Sequence, residues 1–173
     1  MKDYYKIGKI AATHGVAGQV LLSHSLGQKT GFEGLGSILV ETAKNSFLPY
    51  FIVESSVRNA SETLLLLEGI SSREAARVLL KKEVWLTQKD FKKFAARSAP
   101  ISLLGYTIIC EEEEVGEIIE VIEQPHQVLC KIMLEGKEAL IPLHEASLIK
   151  NDQKNRRLYV DIPEGLLDIY REA

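Results

Sequence analysis

Cysteine is scarce in this chain: two residues in 173, at positions 110 and 130. Their spacing matches no zinc pattern, and two thiols do not make a disulfide framework. Long apolar runs are also missing. The longest, such as Phe47 to Val53, are short and carry a proline, far below the ~18 residues of a membrane-crossing helix. The first twenty residues alternate charge, glycine and apolar side chains, without the continuous apolar segment of a secretory signal. Excess charge of one sign is small, a net of −3 beside 46% hydrophobic residues, so a disordered chain is excluded. What remains is a soluble, intracellular, globular protein. Its length fits one ordinary domain or two small ones, and no membrane association and a cytoplasmic location are expected.

The balanced total hides an asymmetry. Residues 1–97 hold 14 Lys+Arg against 9 Asp+Glu, whereas residues 98–173 hold 7 against 15. Such a split is a mark of two domains with different partners, although chance partition of surface charge gives the same arithmetic. A basic half accumulates near a polyanion such as RNA; an acidic half is repelled by it and attracts a basic protein.

Short stretches of period-two alternation dominate the chain. Val128, Cys130, Ile132 and Leu134 fall on one face of a strand, with Gln127, Lys131 and Glu135 opposite. Leu158, Val160 and Ile162 repeat the pattern. Further strands are expected over 4–12, 19–24, 38–41, 47–57, 63–67, 83–87, 104–110, 116–123 and 138–143. Many short strands divided by Gly, Asn and Pro predict small barrels or sandwiches. One helix interrupts them. Ser71-Ser72-Arg73-Glu74 has the form of a capping box, and Ala75, Ala76, Leu79 and Leu80 then recur on one helical face. A second, short helix is expected after Asp161-Ile162-Pro163-Glu164, with Asp161 as its cap. Between Trp85 and Leu103 the alternation dissolves into charged residues ending at Pro100, which makes residues 91–100 the expected linker. The domains are then 1–90 and 101–173.

The motifs point away from chemistry. Ile7-Gly8-Lys9-Ile10 leads through His14-Gly15-Val16-Ala17-Gly18 into Gln19-Val20, a strand, a tight two-glycine loop and a second strand. Gly8 within an apolar strand marks a bulge. His14 fits a structural turn; surface recognition and acid–base chemistry are its other readings. Phosphate-cradling loops of the familiar kinds open a helix, and here a strand follows. Glu111-Glu112-Glu113-Glu114 is a solvated turn rather than a cation site, because hard cations need oxygens converging from a folded loop. His24, His126 and His144 lack partner spacing and are assigned to surface or turn positions. Cys110 and Cys130 sit in apolar strand patterns as small hydrophobes. No Walker loop, dinucleotide fingerprint or nucleophile set is present in the sequence, although triads are assembled in space.

Taken together, these residues resemble the RimM family of bacterial ribosome maturation factors. The similarity lies in Ile7 to Val20 with its HGxxG segment, Glu68-Gly69-Ile70 and Arg73-Glu74-Ala75-Ala76. In the second half it lies in Leu103-Leu104-Gly105, Val115-Gly116-Glu117-Ile118, Glu138-Ala139-Leu140-Ile141-Pro142 and Val160 through Asp168, which ends in PEGLLD. It covers nearly the whole chain in order. The resemblance implies an all-β protein of two small barrels, the first similar to those of translation factors and the second a PRC barrel. It implies a non-enzymatic assembly factor that binds immature small ribosomal subunits and the head ribosomal protein numbered nineteen, and that assists folding and processing of the 3′ domain of the rRNA. No catalytic residue, metal or cofactor is expected, and the chain is expected to be a monomer.

Two segments depart from the family pattern. An aromatic run, Tyr-Tyr-Trp-x-Asp, usually leads into the second barrel and is associated with subunit binding; here those positions are Ser98, Ala99, Pro100, Ile101 and Ser102. The first helix ends in Leu80-Lys81-Lys82 where the family commonly has glycine. The rRNA-facing candidates are Lys6, Lys9, His14, Gly15, Gly18, Arg73, Arg77, Lys81 and Lys82. The ribosomal-protein-binding candidates are Glu111, Glu112, Glu113, Glu114, Asp161, Glu164 and Asp168. A PRC-barrel adaptor with a non-ribosomal partner, and an RNA-acting enzyme using His14, are the alternative readings.

Overall fold

The computed structural model describes residues 3–173. The chain divides into two compact units, residues 1–102 and 103–173. Most regular structure is strand, as the alternation predicts.

The first unit is a closed six-stranded barrel. Its strands are β1 (Tyr4–His14), β2 (Gln19–His24), β3 (Ser37–Ala43), β4 (Ser46–Val57), β5 (Glu62–Leu67) and β6 (Glu83–Thr87). They join in the order β1-β2-β5-β4-β3-β6, and β6 closes back on β1. Alternate side chains point inward, so Ile10, Val20, Leu22, Ile38, Val40, Leu65 and Val84 are fully buried. Each such side chain contributes about 1.5–3 kcal/mol relative to exposure. Closure needs local irregularity, which appears as a register shift between Lys6 and Gly8 against β6. Gly8 is required by contact as well: a Cβ there would collide with the Ser23 carbonyl oxygen on β2.

Helix α1 (Arg73–Arg77) is shorter than its apolar periodicity suggests. Its cap is Ser72, one residue later than the expected Ser71, with the side chain accepting the Ala75 N–H at 3.1 Å. Glu74 therefore does not stand at the return position of a capping box. After Arg77 the backbone tightens into three-residue turns, Leu79 N–H to Ala76 and Lys82 N–H to Leu79. Leu79 is still buried. Lys81 takes a left-handed conformation (φ 64°) as the turn feeds β6, so the position where glycine is common is one that favours glycine physically.

Within the expected linker over 91–100 the structure places the end of helix α2 (Gln88–Phe94) and a segment packed on the first unit. Phe91 and Phe94 are buried, the former edge-on to Tyr5 at 5.0 Å and the latter to Phe32 at 5.4 Å. Ala96 donates to the Leu26 carbonyl, and Gly27 lies against Ala99. Two phenylalanines three apart bury this otherwise charged stretch within the first unit, and the division of the chain falls after Ser102.

The second unit carries strands β7 (Thr107–Cys110), β8 (Glu113–Gln124), β9 (Gln127–Leu134), β10 (Lys137–Leu143), β11 (Leu148–Asp152) and β12 (Arg157–Val160), preceded by a 3₁₀ turn over Pro100–Leu103. They form one six-stranded sheet in the order β10-β9-β8-β7-β12-β11. Ile108, Ile118, Cys130, Ile132, Ala139, Ile141 and Leu158 make its core. The last element, α3 (Leu166–Glu172), starts at Gly165 with φ 82° and no side-chain cap. Asp161 therefore does not cap a helix. Its N–H instead donates to the Ser147 carbonyl at 2.8 Å.

Candidate functional site

The His14–Gly18 loop joins β1 to β2 at the N-terminus of α1. Gly15 and Gly18 both have positive φ, 65° and 89°. Gly18 is buried against the chain entering the helix, where a Cβ would lie 2.8 Å from the Ser72 nitrogen and 2.8 Å from the Ile70 oxygen. Arg73 reaches back to donate to the Gly15 carbonyl at 3.2 Å. The loop is thus a fixed corner of the barrel, and His14 stands exposed at its edge.

The basic candidates fall into two groups. Lys6 is ion-paired with Glu83 at 3.3 Å, Lys82 donates to the Thr42 carbonyl at 2.9 Å, and Arg73 holds Gly15. These cations have structural work. Lys9, Arg77 and Lys81 are exposed. Lys81 and Lys82 line an open notch of about 320 Å³ together with Lys44, Glu41 and Glu83. The sequence reading missed Lys44, which the β3–β4 turn brings beside them.

A second feature was missed as well. Tyr4, Phe47 and Trp85 meet on the outside of the barrel, with ring centroids 5.3 Å and 5.1 Å apart, edge to face. Phe51, on the same face of β4 as Phe47, is 54% exposed.

In the second unit the four glutamates do not act as one group. Glu111 and Glu112 form the β7–β8 turn with positive φ (50° and 69°), while Glu113 and Glu114 begin β8. Glu114 pairs with Arg157 at 3.3 Å. Asp161 and Glu164 are exposed, and Asp168 lies 3.9 Å from Arg171. Lys131 bridges Glu120 (2.7 Å) and Glu138 (3.6 Å); the hydrogen bond to Glu120 raises its pKa above the usual lysine value.

The histidines need one correction. His126 and His144 are exposed, but His24 is buried on β2, 3% accessible, because it continues the inward alternation of Val20 and Leu22. Its Nδ1 accepts the Leu26 N–H at 3.3 Å, its Nε2 has no partner among the described residues, and burial lowers its pKa. Cys130 is buried and its thiol is pushed up to about 12 by desolvation. Among the described residues no group of three or more His, Cys, Asp or Glu is placed to hold a metal ion. Nor is any helix among them long and apolar enough to cross a membrane.

Two family models match the chain in succession, with residues 92–99 between them. Residues 5–91 match the RimM N-terminal domain, and residues 100–166 match the RimM PRC barrel domain. A ribosome maturation factor RimM of Phocaeicola vulgatus is 31% identical over 172 residues, covering 95% of this chain and 97% of its own. One of Flavobacterium psychrophilum is 28% identical over 173 residues, covering 98% of each. A crystal structure of a RimM from Pseudomonas aeruginosa, described as a 16S ribosomal RNA processing protein, is 17% identical with TM-score 0.44, covering 92% of this chain and 97% of that one. A closed N-terminal barrel followed by a PRC-barrel domain defines a two-domain, all-β protein of the ribosome-maturation class. Within that class, the chain belongs to the RimM family.

Proposed function

We propose that the chain assists small-subunit assembly by binding, without a chemical step. The immature small ribosomal subunit with its rRNA is one partner, and the head ribosomal protein numbered nineteen is the other. The protein shields that ribosomal protein and its rRNA site from wrong pairings until the 3′ domain has folded and native contacts form.

One observation carries the reading. Residues 98–102 hold no charge, so the basic part, 14 cations against 9 anions, coincides with the first compact unit, and the acidic part, 7 against 15, with the second. Opposite fields on separate units suit one unit to rRNA phosphates and the other to a basic ribosomal protein. In the first unit the exposed cations Lys9, Arg77 and Lys81, with His14 at the loop, are the rRNA-facing residues of this reading. Lys6, Arg73 and Lys82, the other cations of this reading, are engaged by Glu83, the Gly15 carbonyl and the Thr42 carbonyl. In the second unit Glu111, Glu112, Glu113, Asp161, Glu164 and Asp168 supply the negative surface, and Glu114 is partly neutralised by Arg157.

The test is sedimentation of tagged protein with cell extract at low and moderate salt, probing precursor and mature small subunits separately. Enrichment on precursors, with direct capture of the ribosomal protein by the full chain, is the expected result. Failure of both overturns the reading in favour of an adaptor with another partner, for which the non-aromatic Ser98–Ser102 segment leaves room.

A further inference from the structure

Ordinary barrels of this kind turn polar side chains to water. Here part of the outer surface is aromatic. Strands β4, β3, β6 and β1 are successive neighbours in the barrel, and directly paired residues share a face. Lys6 pairs with Trp85, Trp85 with Leu39, and Leu39 with Pro49. This row lies opposite the buried Val40, Val84 and Leu86 and therefore on the outside. Phe47 packs edge to face on Trp85, which is left 8% exposed, Tyr4 packs edge to face on Phe47, and Phe51 continues the strip along β4 with more than half its surface in solvent.

The lysine notch adjoins this strip. Phe47 is the cross-strand partner of Glu41, and Trp85 is two residues beyond Glu83 on the same face. Both glutamates of the notch are already engaged: Glu83 by Lys6, and Glu41 by the Asn45 N–H at 2.8 Å. Lys82 is fixed on the Thr42 carbonyl. Lys44 and Lys81 are exposed and make no ion pair among the described residues. Two free ammonium groups beside exposed rings satisfy the two needs of a single-stranded nucleic acid, a cation for the phosphate and an aromatic surface for the base. A duplex hides its bases and cannot use the rings. A basic protein is repelled by the lysines.

We propose that this outer strip binds unpaired RNA, with bases packed on Phe51 and on the Tyr4–Phe47 pair and a backbone phosphate in the notch between Lys44 and Lys81. The assignment rests on the rRNA reading above and deepens it by naming the form of RNA and the face that takes it.

The probe is a fluorescein-labelled oligouridylate of about eight nucleotides, titrated with the full chain and followed by anisotropy. Trp85 is the sole tryptophan, so its emission reports on this face directly. Wild type is expected to bind the oligonucleotide more tightly than a duplex of the same length and to shift Trp85 emission on binding. Phe51→Ala is expected to weaken binding about tenfold with the salt dependence intact. Phe51→Tyr should restore it, and Phe51→Leu, which keeps apolar area without a ring, should not. Lys44→Ala with Lys81→Gly should flatten the dependence of log affinity on log salt by about 0.7; glycine suits the positive φ at position 81. Equal binding of duplex, no binding at low salt, or wild-type binding by Phe51→Ala each overturns the proposal. Loss of ribosomal-protein capture by Phe51→Ala with RNA binding unchanged also overturns it, and makes the strip a protein interface. The same variants run with precursor subunits separate the two levels: wild type that fails to enter precursors and to capture the ribosomal protein sinks the functional reading. Wild type and Phe51→Ala entering equally well sinks only the strip.

Discussion

Gly18 and Ser72 touch backbone to backbone: a Cβ on Gly18 would stand 2.8 Å from the Ser72 nitrogen and 2.9 Å from its oxygen. Ser72 is the cap of α1, so Gly18 seats the β1–β2 loop directly on the start of that helix. Gly15, in the same loop and also at positive φ, has nothing within 4 Å of its added Cβ. The two glycines thus separate conformational strain from collision. Gly15→Ala is expected to cost about 1–2 kcal/mol, the left-handed penalty alone. Gly18→Ala adds displacement of main chain that cannot rotate away, for a total on the order of 2–5 kcal/mol. Urea unfolding of both variants checks this, and equal costs would show that the contact with Ser72 does not hold the corner.

His24 makes the barrel sensitive to mild acid. Its folded-state pKa is lowered by burial, while the unfolded chain titrates near 6.5. Above that value both states are neutral and the residue contributes nothing to pH dependence. As pH falls from 7 towards 5, the unfolded chain binds a proton that the folded chain refuses, so stability falls, by at most about 1.4 kcal/mol per pH unit for one proton. His24→Asn, whose oxygen can accept the Leu26 N–H in place of Nδ1, should lose that slope while being less stable at pH 7. Unfolding midpoints at pH 7, 6 and 5 decide it. An unchanged slope in the variant would assign the acid sensitivity to other groups.

Strand positions were legible wherever one face is buried and the other wet. Gln19–His24 follows directly from alternation, whereas Glu83–Thr87 carries the short apolar run Val84-Trp85-Leu86, all three buried. β11 was not legible, because Leu148-Ile149 are adjacent and Lys150-Asn151-Asp152 are all polar. It forms by pairing with β12 across a turn closed by the Asn155 N–H on Asp152. The same rule placed His24 inside, since it falls two residues after Leu22, yet its polarity argued for the surface. The basic residues of the candidate site could be named from sequence, but not which were engaged: nothing local pairs Lys6 with Glu83 or Lys82 with Thr42. The aromatic strip was hidden for a related reason. Phe47 to Val53 is an almost unbroken apolar run, and only the register with Ser37, Leu39 and Glu41 reveals which of its residues face out.

Helix α2 gives a test of where the first unit ends. A linker tolerates truncation of its side chains, whereas Phe91 is 3% exposed and packs edge-on against Tyr5. Phe91→Ala in the full chain is therefore expected to destabilise the first unit by about 3–5 kcal/mol. Phe94→Ala, 6% exposed against Phe32, should behave similarly. Lys92→Ala, on the exposed side of the same helix, should fall within about 0.5 kcal/mol of wild type. Denaturant midpoints that do not separate Phe91→Ala from Lys92→Ala would return residues 91–100 to the status of a tether.

The two thiols of the second unit should react in order. Alkylation requires thiolate, and the Cys130 thiol is pushed up to about 12 by its apolar surroundings at 0% exposure. At pH 8 its thiolate fraction in the folded protein is on the order of one in ten thousand, with no solvent path to the sulfur. Cys110 lies at the end of β7, half-buried, where the chain enters the Glu111–Glu112 turn. Iodoacetamide at pH 8 is expected to label Cys110 first and to leave Cys130 unmodified until the sheet unfolds, when both react alike. Mass spectrometry of the native and urea-treated protein reads both sites at once. Labelling of Cys130 at the rate of Cys110 in the folded protein would mean that β9 opens to solvent faster than the sheet's core packing allows.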